Sequence, residues 1–394
     1  MNAGSSTTGF LEYLGLYVKI FSIILFLLLV VRVTPGHQHD FETYYYAAKT
    51  WTQGLNPYET SDLRVVSGDP SILPYAYPPL TLGLTSLLNF TSPSVGKIIY
   101  TILSLTQISI LCILWARILS NSIRLDTLFT PFTLFAFNAF PVAILSGNIA
   151  LPEFFLAWMG VYFFMKERVR LAGFFILLSA LFKLSPILLI LPLALYNGGR
   201  DRKTILLVLL FFILYLSLNI LLLPGLMPGY LESLRSVPVQ SAETSYNEPG
   251  SFRSLNLLFG GLIPLNAVKL SYLAFAGFIL FFSIKTVKNS FSVLGRLDYA
   301  FFTLLTYALI LPRFKDYSFI LLLPVLYYVF KRFVHPYSRV AYILLTLGFA
   351  CMNLYIFNDA FFTDSQINAL SHLRWLAVFA SWIAYVGWMR RESS

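Results

Sequence analysis

Long apolar runs, separated by short polar stretches, repeat along almost the whole chain. The first extends from Tyr13 to Val33, and about 20 helical residues are enough to cross about 30 Å of hydrocarbon. Further runs lie at 95–116, 128–146, 149–165, 171–182, 185–197, 204–223, 265–284, 298–311, 317–331, 339–357 and 372–389. The pattern predicts an all-α integral membrane protein with about 12 transmembrane helices in a single polytopic domain, residues 1–394.

Three stretches depart from this simple repeat. The apolar stretch from Tyr77 to Phe90 is short and follows two prolines, so we expect an interfacial helix rather than a full crossing. Residues 40–54 contain good helix formers and no proline, which predicts a short amphipathic helix at the membrane surface. Residues 171–197 fit either one bent helix or a helix pair.

Composition strengthens the membrane assignment. The 394 residues are 57% hydrophobic and only 12% charged, whereas soluble domains carry about 25% charged residues. The polar start leads to Lys19 and an apolar run without a small-residue cleavage site, so we expect a retained first helix. Cys112 and Cys351 both lie in apolar runs and are expected to pack as small hydrophobic residues.

The basic residues set the predicted topology. Six clusters of lysine and arginine, at 117–124, 166–170, 200–203, 285–296, 331–339 and 390–391, fall on one side if both chain ends are cytoplasmic. Twelve of the 18 acidic residues then lie on the other side, eight of them in outer loops at about 34–93 and 224–256. The basic residues behind the net charge of +10 are therefore dispersed over many loops, where they act as topology signals. Because they form no single basic patch, the sequence excludes a nucleic-acid-binding surface.

The same topology places a set of candidate functional residues on the outer face. The set combines carboxylates with lysines and arginines that come from several loops. A carboxylate can accept the proton of an attacking hydroxyl, and cations can stabilise a leaving phosphate. The sequence has no nucleotide-binding glycine loop, no DxD pair and no His/Cys metal cluster, so we expect a phosphate carried by a lipid. The candidates are Asp40, Glu42, Gly147, Asn148, Glu153, Lys183, Glu248, Arg253, Arg313, Lys315, Asp316 and Tyr317.

Each candidate also has a plainer explanation. Asp40 could be a solvated loop acid, and Lys183 could reach towards the interface or pair with Glu153. Arg313 and Lys315 could be interfacial anchors, and Arg253 a loop cation. Tyrosines 44–46 fit an interfacial aromatic belt. His37 and His39 fit exposed loop residues better than metal ligands.

The order of several short motifs resembles that of a known family. The motifs are Asp40-Phe41-x-x-Tyr44-Tyr45-x-Ala47-Ala48, Gly54-Leu55-Asn56-Pro57-Tyr58, Tyr77-Pro78-Pro79-Leu80, Gly147-Asn148, Lys183-x-Ser185-Pro186 and Pro312-Arg313-x-x-Asp316-Tyr317. In this order and topology the chain resembles polytopic GT-C glycosyltransferases, and is most similar to family 87, the polyprenyl-phosphate-mannose-dependent mannosyltransferases.

The resemblance implies inverting transfer of a sugar, mannose by default, from a polyprenyl phosphate to an acceptor hydroxyl at the outer membrane face. It implies Asp40 as general base, and it suggests Lys183, Arg253, Arg313 and Lys315 as phosphate ligands. Donor or acceptor contacts are expected from Glu42, Tyr44, Tyr45, Tyr77, Asn148, Glu153, Asp316 and Tyr317. No cofactor is required, although a divalent metal is compatible. The acceptor is a glycan, a glycolipid or a protein.

Two other functions compete with this one. A transporter or flippase for a lipid-linked or anionic substrate would place its functional charges along the membrane midplane, whereas these candidates lie at one face. An assembly subunit without activity would tolerate substitution of Asp40 and Lys183.

Overall fold

A computed structural model describes residues 4–33, 38–119, 126–196, 202–234, 250–259, 262, 264–291, 294–351 and 364–393. Its described residues form helices and turns without strands. Parts of both predicted outer loops lie outside these ranges, namely residues 34–37 with His37 and residues 235–249 with Glu248.

The helices follow the apolar runs closely. In chain order they are α1 Gly4–Val33, α2 His39–Thr52, α3 Thr60–Ser67, α4 Pro79–Thr85, α5 Pro93–Ile118, α6 Phe129–Phe135, α7 Ala139–Ser146, α8 Ala150–Met165, α9 Val169–Ala180, α10 Ile190–Leu195, α11 Arg202–Leu222, α12 Ser251–Phe259, α13 Leu265–Ser290, α14 Arg296–Ile310, α15 Leu323–Val329, α16 Arg339–Cys351 and α17 Asp364–Ser393. Residues 227–234 are also helical. Short 3₁₀ segments occur at Ser86–Phe90, Ala136–Asn138, Ser185–Leu189 and Asp316–Leu321, and a π segment at Phe330–Val334.

Membrane character is evident in the described helices. Four apolar segments are long enough to cross a bilayer: Tyr13–Arg32, Pro93–Ile118, Phe129–Ser146 and Leu265–Ser290. Shorter apolar helices occur at Ala150–Met165, Val169–Ala180, Leu209–Leu221 and Arg339–Ala350. The chain is thus an all-helical membrane protein, and the count of about 12 crossings remains a prediction.

Two apolar runs are broken in ways that the sequence pattern left open or missed. The 128–146 run is predicted as one crossing and Phe129–Ser146 is long enough for one, yet positive φ values of 57° at Phe137 and 61° at Asn138 separate α6 from α7. The 171–197 region forms two helical pieces, with Lys183 in the gap before the 3₁₀ turn at Ser185–Leu189. At Tyr77–Phe90, a seven-residue helix and a 3₁₀ turn are too short to cross, as expected.

The chain divides into two compact units. The first comprises Val30–Leu111 and Val142–Ser245, and the second Met1–Leu29, Cys112–Pro141 and Tyr246–Ser394. A core of the first unit joins α2, α3 and α4 to the start of α8 through buried side chains. They are Tyr44, Ala47, Leu63, Ile72, Tyr75, Leu82, Ile149 and Leu226.

In the second unit, charges predicted on the cytoplasmic side lie together at one end. Arg332 Nη1 is 2.6 Å from Asp298 Oδ1, and Lys331 Nζ is 3.4 Å from Asp126 Oδ2. The Arg332 guanidinium also lies 4.1 Å from the ring centre of Trp388. These contacts agree with the prediction that the segments carrying these residues lie on the same side of the membrane. That this side is the cytoplasmic one remains a prediction.

Candidate active site

Asp40 lies in the first turn of α2, where it is half-buried. Two acids in this turn, Asp40 and Glu42, lie at the positive end of the helix dipole, which favours negative charge. Phe41 is fully buried between them, and its ring packs 5.4 Å from the ring of Tyr100. The apolar face of α2 therefore anchors the helix and leaves Asp40 at its edge.

Glycines allow this close packing around Phe41. Gly147 has a φ of +66°, and a Cβ atom there would lie 2.6 Å from Phe41 Cβ. A Cβ atom on Gly96 of α5 would lie 2.9 Å from Phe41 Cζ. A side chain at Gly147 would meet the Cβ atom and the backbone nitrogen of Phe41 and so push α2 away, whereas one at Gly96 would meet the tip of the Phe41 ring. Gly147 thus fixes where the neighbouring Asp40 is held.

Asn148 holds the Asp40 carboxylate directly. Its Nδ2 donates to Asp40 Oδ2 at 2.6 Å, and its Oδ1 accepts from the N–H of Ala150 at 2.8 Å. Asn148 is buried, and its backbone oxygen accepts from the Tyr100 hydroxyl at 2.5 Å. The residues joined are 108 positions apart in the chain, so the turn before α8 and the start of α2 form one structure.

Tyr44 and Tyr77 fasten the same turn. The N–H of Ile149 donates to the Tyr44 hydroxyl at 3.3 Å, and that hydroxyl donates to the hydroxyl of Tyr77 at 2.8 Å. Burial, with Tyr77 and Asp40 nearby, raises the pKa of Tyr44 well above its ordinary value, so the hydroxyl stays neutral. Tyr45 donates to the backbone oxygen of Thr91 at 2.8 Å. Tyr44 and Tyr45 are thus buried and bonded within the protein, unlike residues of a lipid-facing belt.

Glu42 has a cationic neighbour that the sequence did not single out. Lys97 Nζ lies 2.6 Å from Glu42 Oε1, and His39 Nδ1 lies 3.8 Å from Glu42 Oε2. Both members of the Lys97–Glu42 pair are partly exposed. This pair ties α2 to the first turns of α5.

Glu153 and Lys183 form an ion pair five residues beyond Asn148. Lys183 Nζ is 3.1 Å from Glu153 Oε2. The Glu153 side chain is 1% exposed and lies in the first turn of α8, whereas Lys183 is 27% exposed. Pairing of Lys183 with Glu153, one of the two alternatives for this lysine, is therefore present. The lysine still reaches solvent-accessible space.

The remaining predicted residues of the described chain lie in the second unit. Two of the segments that carry them meet at a close contact between Gly250 and Pro312. A Cβ atom on Gly250 would lie 2.8 Å from the backbone oxygen of Pro312, and the N–H of Phe252 donates to that oxygen at 3.2 Å. Arg253 therefore lies in the first turn of α12, beside the turn that carries Arg313. Ser254 Oγ lies 3.0 Å from His372 Nδ1, which brings α17 against the same helix.

Asp316 forms a buried ion pair with Arg374. Arg374 Nη1 lies 2.6 Å from Asp316 Oδ1, and the two side chains are 0% and 4% exposed. Lys315 Nζ lies 5.7 Å from the ring centre of Tyr317, which is itself buried. The Asp316–Arg374 pair gives this part of the late motif a structural explanation.

Comparison with known proteins adds one match. The family model described as glycosyltransferase family 87 matches residues 75–312, more than half of the chain. The chain belongs to glycosyltransferase family 87. No curated protein matches it at a significant level.

The family 87 match covers only some of the candidate residues. Tyr77, Asn148, Glu153, Lys183 and Arg253 lie inside it. The first acids and tyrosines lie before it, and the late motif follows it; these residues are Asp40, Glu42, Tyr44, Tyr45, Arg313, Lys315, Asp316 and Tyr317. Membership therefore shows a glycosyltransferase, and the roles of individual residues remain predictions.

Sequence reasoning missed Lys97 and Arg374 in this family 87 protein. Lys97 is a lone cation at the start of an apolar helix, and Arg374 lies at the start of the last apolar run. A charge inside an apolar stretch was the available signal, because such a charge needs a partner. Among the described residues, no cluster of three or more His, Cys, Asp or Glu side chains is arranged to hold a metal.

Proposed function

We propose that this glycosyltransferase moves a sugar, mannose by default, from a polyprenyl phosphate to an acceptor hydroxyl at the outer face of the cell membrane, with inversion at the anomeric carbon. One observation carries the proposal. The stretch 147–153 holds Asp40 through Asn148 and Lys183 through Glu153. A candidate base and a candidate phosphate ligand are therefore fastened to the same helix start.

The chemistry follows from these two groups. Asp40 accepts the proton of the acceptor hydroxyl while the hydroxyl oxygen bonds to the anomeric carbon. The bond from that carbon to the phosphate oxygen breaks, and its electron pair leaves with the lipid phosphate. The partly exposed ammonium of Lys183 stabilises the charge that develops on the phosphate. Attack opposite the leaving group inverts the configuration.

Purified protein tests the proposal when it is supplied in detergent with a panel of polyprenyl-phosphate sugars and candidate glycan, glycolipid and peptide acceptors. We expect mass spectrometry to show consumption of one donor and formation of a glycosidic product. Asp40→Asn should lower the transfer rate by about 10²–10⁴-fold, the usual contribution of a general base.

The control is Asp62→Asn, because Asp62 is another acid of the same predicted outer loop and accepts a hydrogen bond from the backbone N–H of Asn56. Full transfer by a folded Asp40→Asn protein would refute Asp40 as the base. Movement of lipid-linked sugar across liposomes with no glycosidic bond formed would instead support a flippase.

A further inference from the structure

The amide of Asn148 has one defined orientation. Its Oδ1 accepts from the Ala150 N–H at 2.8 Å, which satisfies one of the free N–H groups at the start of α8. The NH₂ group must therefore face Asp40, and it donates to Oδ2 at 2.6 Å. An amide with both ends engaged cannot rotate without losing two hydrogen bonds.

The backbone around Asn148 is fixed as well. Gly147 is pressed against Phe41, the backbone oxygen of Asn148 accepts from Tyr100, and the N–H of Ile149 is bonded to Tyr44. Each of these partners is buried or half-buried in the first unit. Three successive residues of the turn are thus held in place, and the NH₂ group of Asn148 points at the Asp40 carboxylate. This is more fixation than a simple helix start requires.

From this geometry we infer that Asn148 is a positioning residue that assigns the two oxygens of Asp40 to different tasks. Oδ2 is occupied by the amide N–H, so Oδ1 is the oxygen that takes the acceptor's proton. After proton transfer the acid carries its hydrogen on Oδ1, and Asn148 still donates to Oδ2. The same hydrogen bond therefore serves both protonation states, and the carboxyl group does not rotate during the reaction.

The inference rests on the proposed function, because it assumes that Asp40 is the base. It differs from the sequence-based expectation that Asn148 contacts the donor or acceptor. A residue that binds substrate raises KM when it is removed, whereas one that orients the base lowers kcat. The two roles can be separated by kinetics.

Asn148→Asp is the most informative variant. Aspartate retains an acceptor for the Ala150 N–H and suits a helix N-terminus, but it cannot donate to Asp40 when ionised. Two facing carboxyl groups share a proton, so the base is blocked at neutral pH. We expect a folded protein whose kcat is about 100-fold lower, the scale of loss expected for a misplaced reacting group, with an unchanged donor KM.

Asn148→Ala removes the donor without adding charge. Here too kcat should fall while the donor KM stays the same, and the acid limb of the pH–rate profile should move to higher pH, because the ionised carboxylate has lost a hydrogen bond. His39→Asn is measured alongside as a control, because His39 precedes Asp40 in the chain and lies beside Glu42. Titratable groups near Asp40 are His39, Glu42, Tyr44, Lys97 and Tyr100.

The exchanged pair Asp40→Asn with Asn148→Asp is the structural control. It can restore the hydrogen bond with donor and acceptor reversed, so melting should return towards wild type while transfer stays absent. Unchanged kcat and pH profile in Asn148→Asp and Asn148→Ala, or a raised donor KM alone, would overturn the inference. If Asp40→Asn itself keeps full activity, the proposed base is wrong, and that result is distinct from a failure of Asn148 alone.

Discussion

Two carboxylates of the predicted site are held in opposite ways. Asp40 in the first unit is half-buried and accepts a hydrogen bond from a neutral amide, that of Asn148. Asp316 in the second unit is 4% exposed and lies 2.6 Å from the guanidinium of Arg374, which has no exposed surface. One carboxylate keeps an accessible side, and the other is enclosed with its counter-charge.

The difference separates the proposed reacting group from a structural one. A base must be reached by the hydroxyl that it deprotonates, and its partner must not neutralise it permanently. A buried charge pair meets neither condition, although breaking it is costly because one charge is left behind. Sequence motifs placed both acids in the same candidate site, and only their surroundings tell them apart.

The largest effect on folding is expected at the enclosed pair. Asp316→Ala or Arg374→Ala should lower the free energy of unfolding by about 3–5 kcal/mol, because each removes the counter-charge of a buried ionised group. Chemical denaturation in detergent measures this loss. The double variant Asp316→Leu with Arg374→Met should recover most of the stability. A small loss in the single variants would show that the pair is not a structural element.

The Glu153–Lys183 pair should respond asymmetrically, because only Glu153 is fully buried. Lys183→Met leaves that carboxylate without its cation and should cost up to about 3 kcal/mol. Glu153→Gln leaves a lysine that can reach water and should cost about 1 kcal/mol. The same denaturation experiment compares the two. Equal losses of unfolding free energy in Lys183→Met and Glu153→Gln would contradict the conclusion that Glu153 is buried more deeply than Lys183.

Gly147→Ala tests the contact that places Asp40. Alanine at a φ of +66° should cost about 1–2 kcal/mol, and its Cβ would displace Phe41 and hence Asp40, so the transfer rate should fall too. Gly54→Ala is the matched control: Gly54 has a φ of +77°, but a Cβ there meets nothing within 4 Å. Backbone strain should cost the two variants a similar amount, and Gly147→Ala alone should lose further stability and activity through the clash with Phe41.

The smallest effect is expected at the exposed pair between Lys97 and Glu42. Lys97→Met should change the free energy of unfolding by about 0.2–1 kcal/mol, and less at high salt, because both side chains are partly hydrated. Denaturation at low and high salt checks this. A loss as large as that at Asp316 would mean that this pair also has a structural role.

Helix positions were largely readable from the sequence because apolar runs of membrane length have few alternatives. The break at Phe137–Asn138 was missed because both neighbouring segments are apolar and Phe137 gives no hint of positive φ; Asn138, a polar residue of a type that adopts positive φ, was the available signal. Tyr77–Phe90 was recognised as too short because two prolines limit where its helix can start.

Long-range pairings were harder to predict. Asp40 was found because an acid after a first membrane helix is unusual, but its partner is 108 residues away. Lys183 with Glu153 was anticipated, since both are charges beside apolar runs. Arg374 was not, because one arginine near the start of an apolar run resembles an interfacial anchor until its partner is known.

Transfer rates of Asp40→Asn and of the double variant Asp316→Leu with Arg374→Met, measured side by side on folded protein with the same polyprenyl-phosphate sugar, test the central claim most directly. The account predicts that Asp40→Asn loses about 10²–10⁴-fold in rate, whereas the double variant keeps most of its rate. An active Asp40→Asn protein beside an inactive, well-folded double variant would contradict the account, because it would show that Asp40 is not the base.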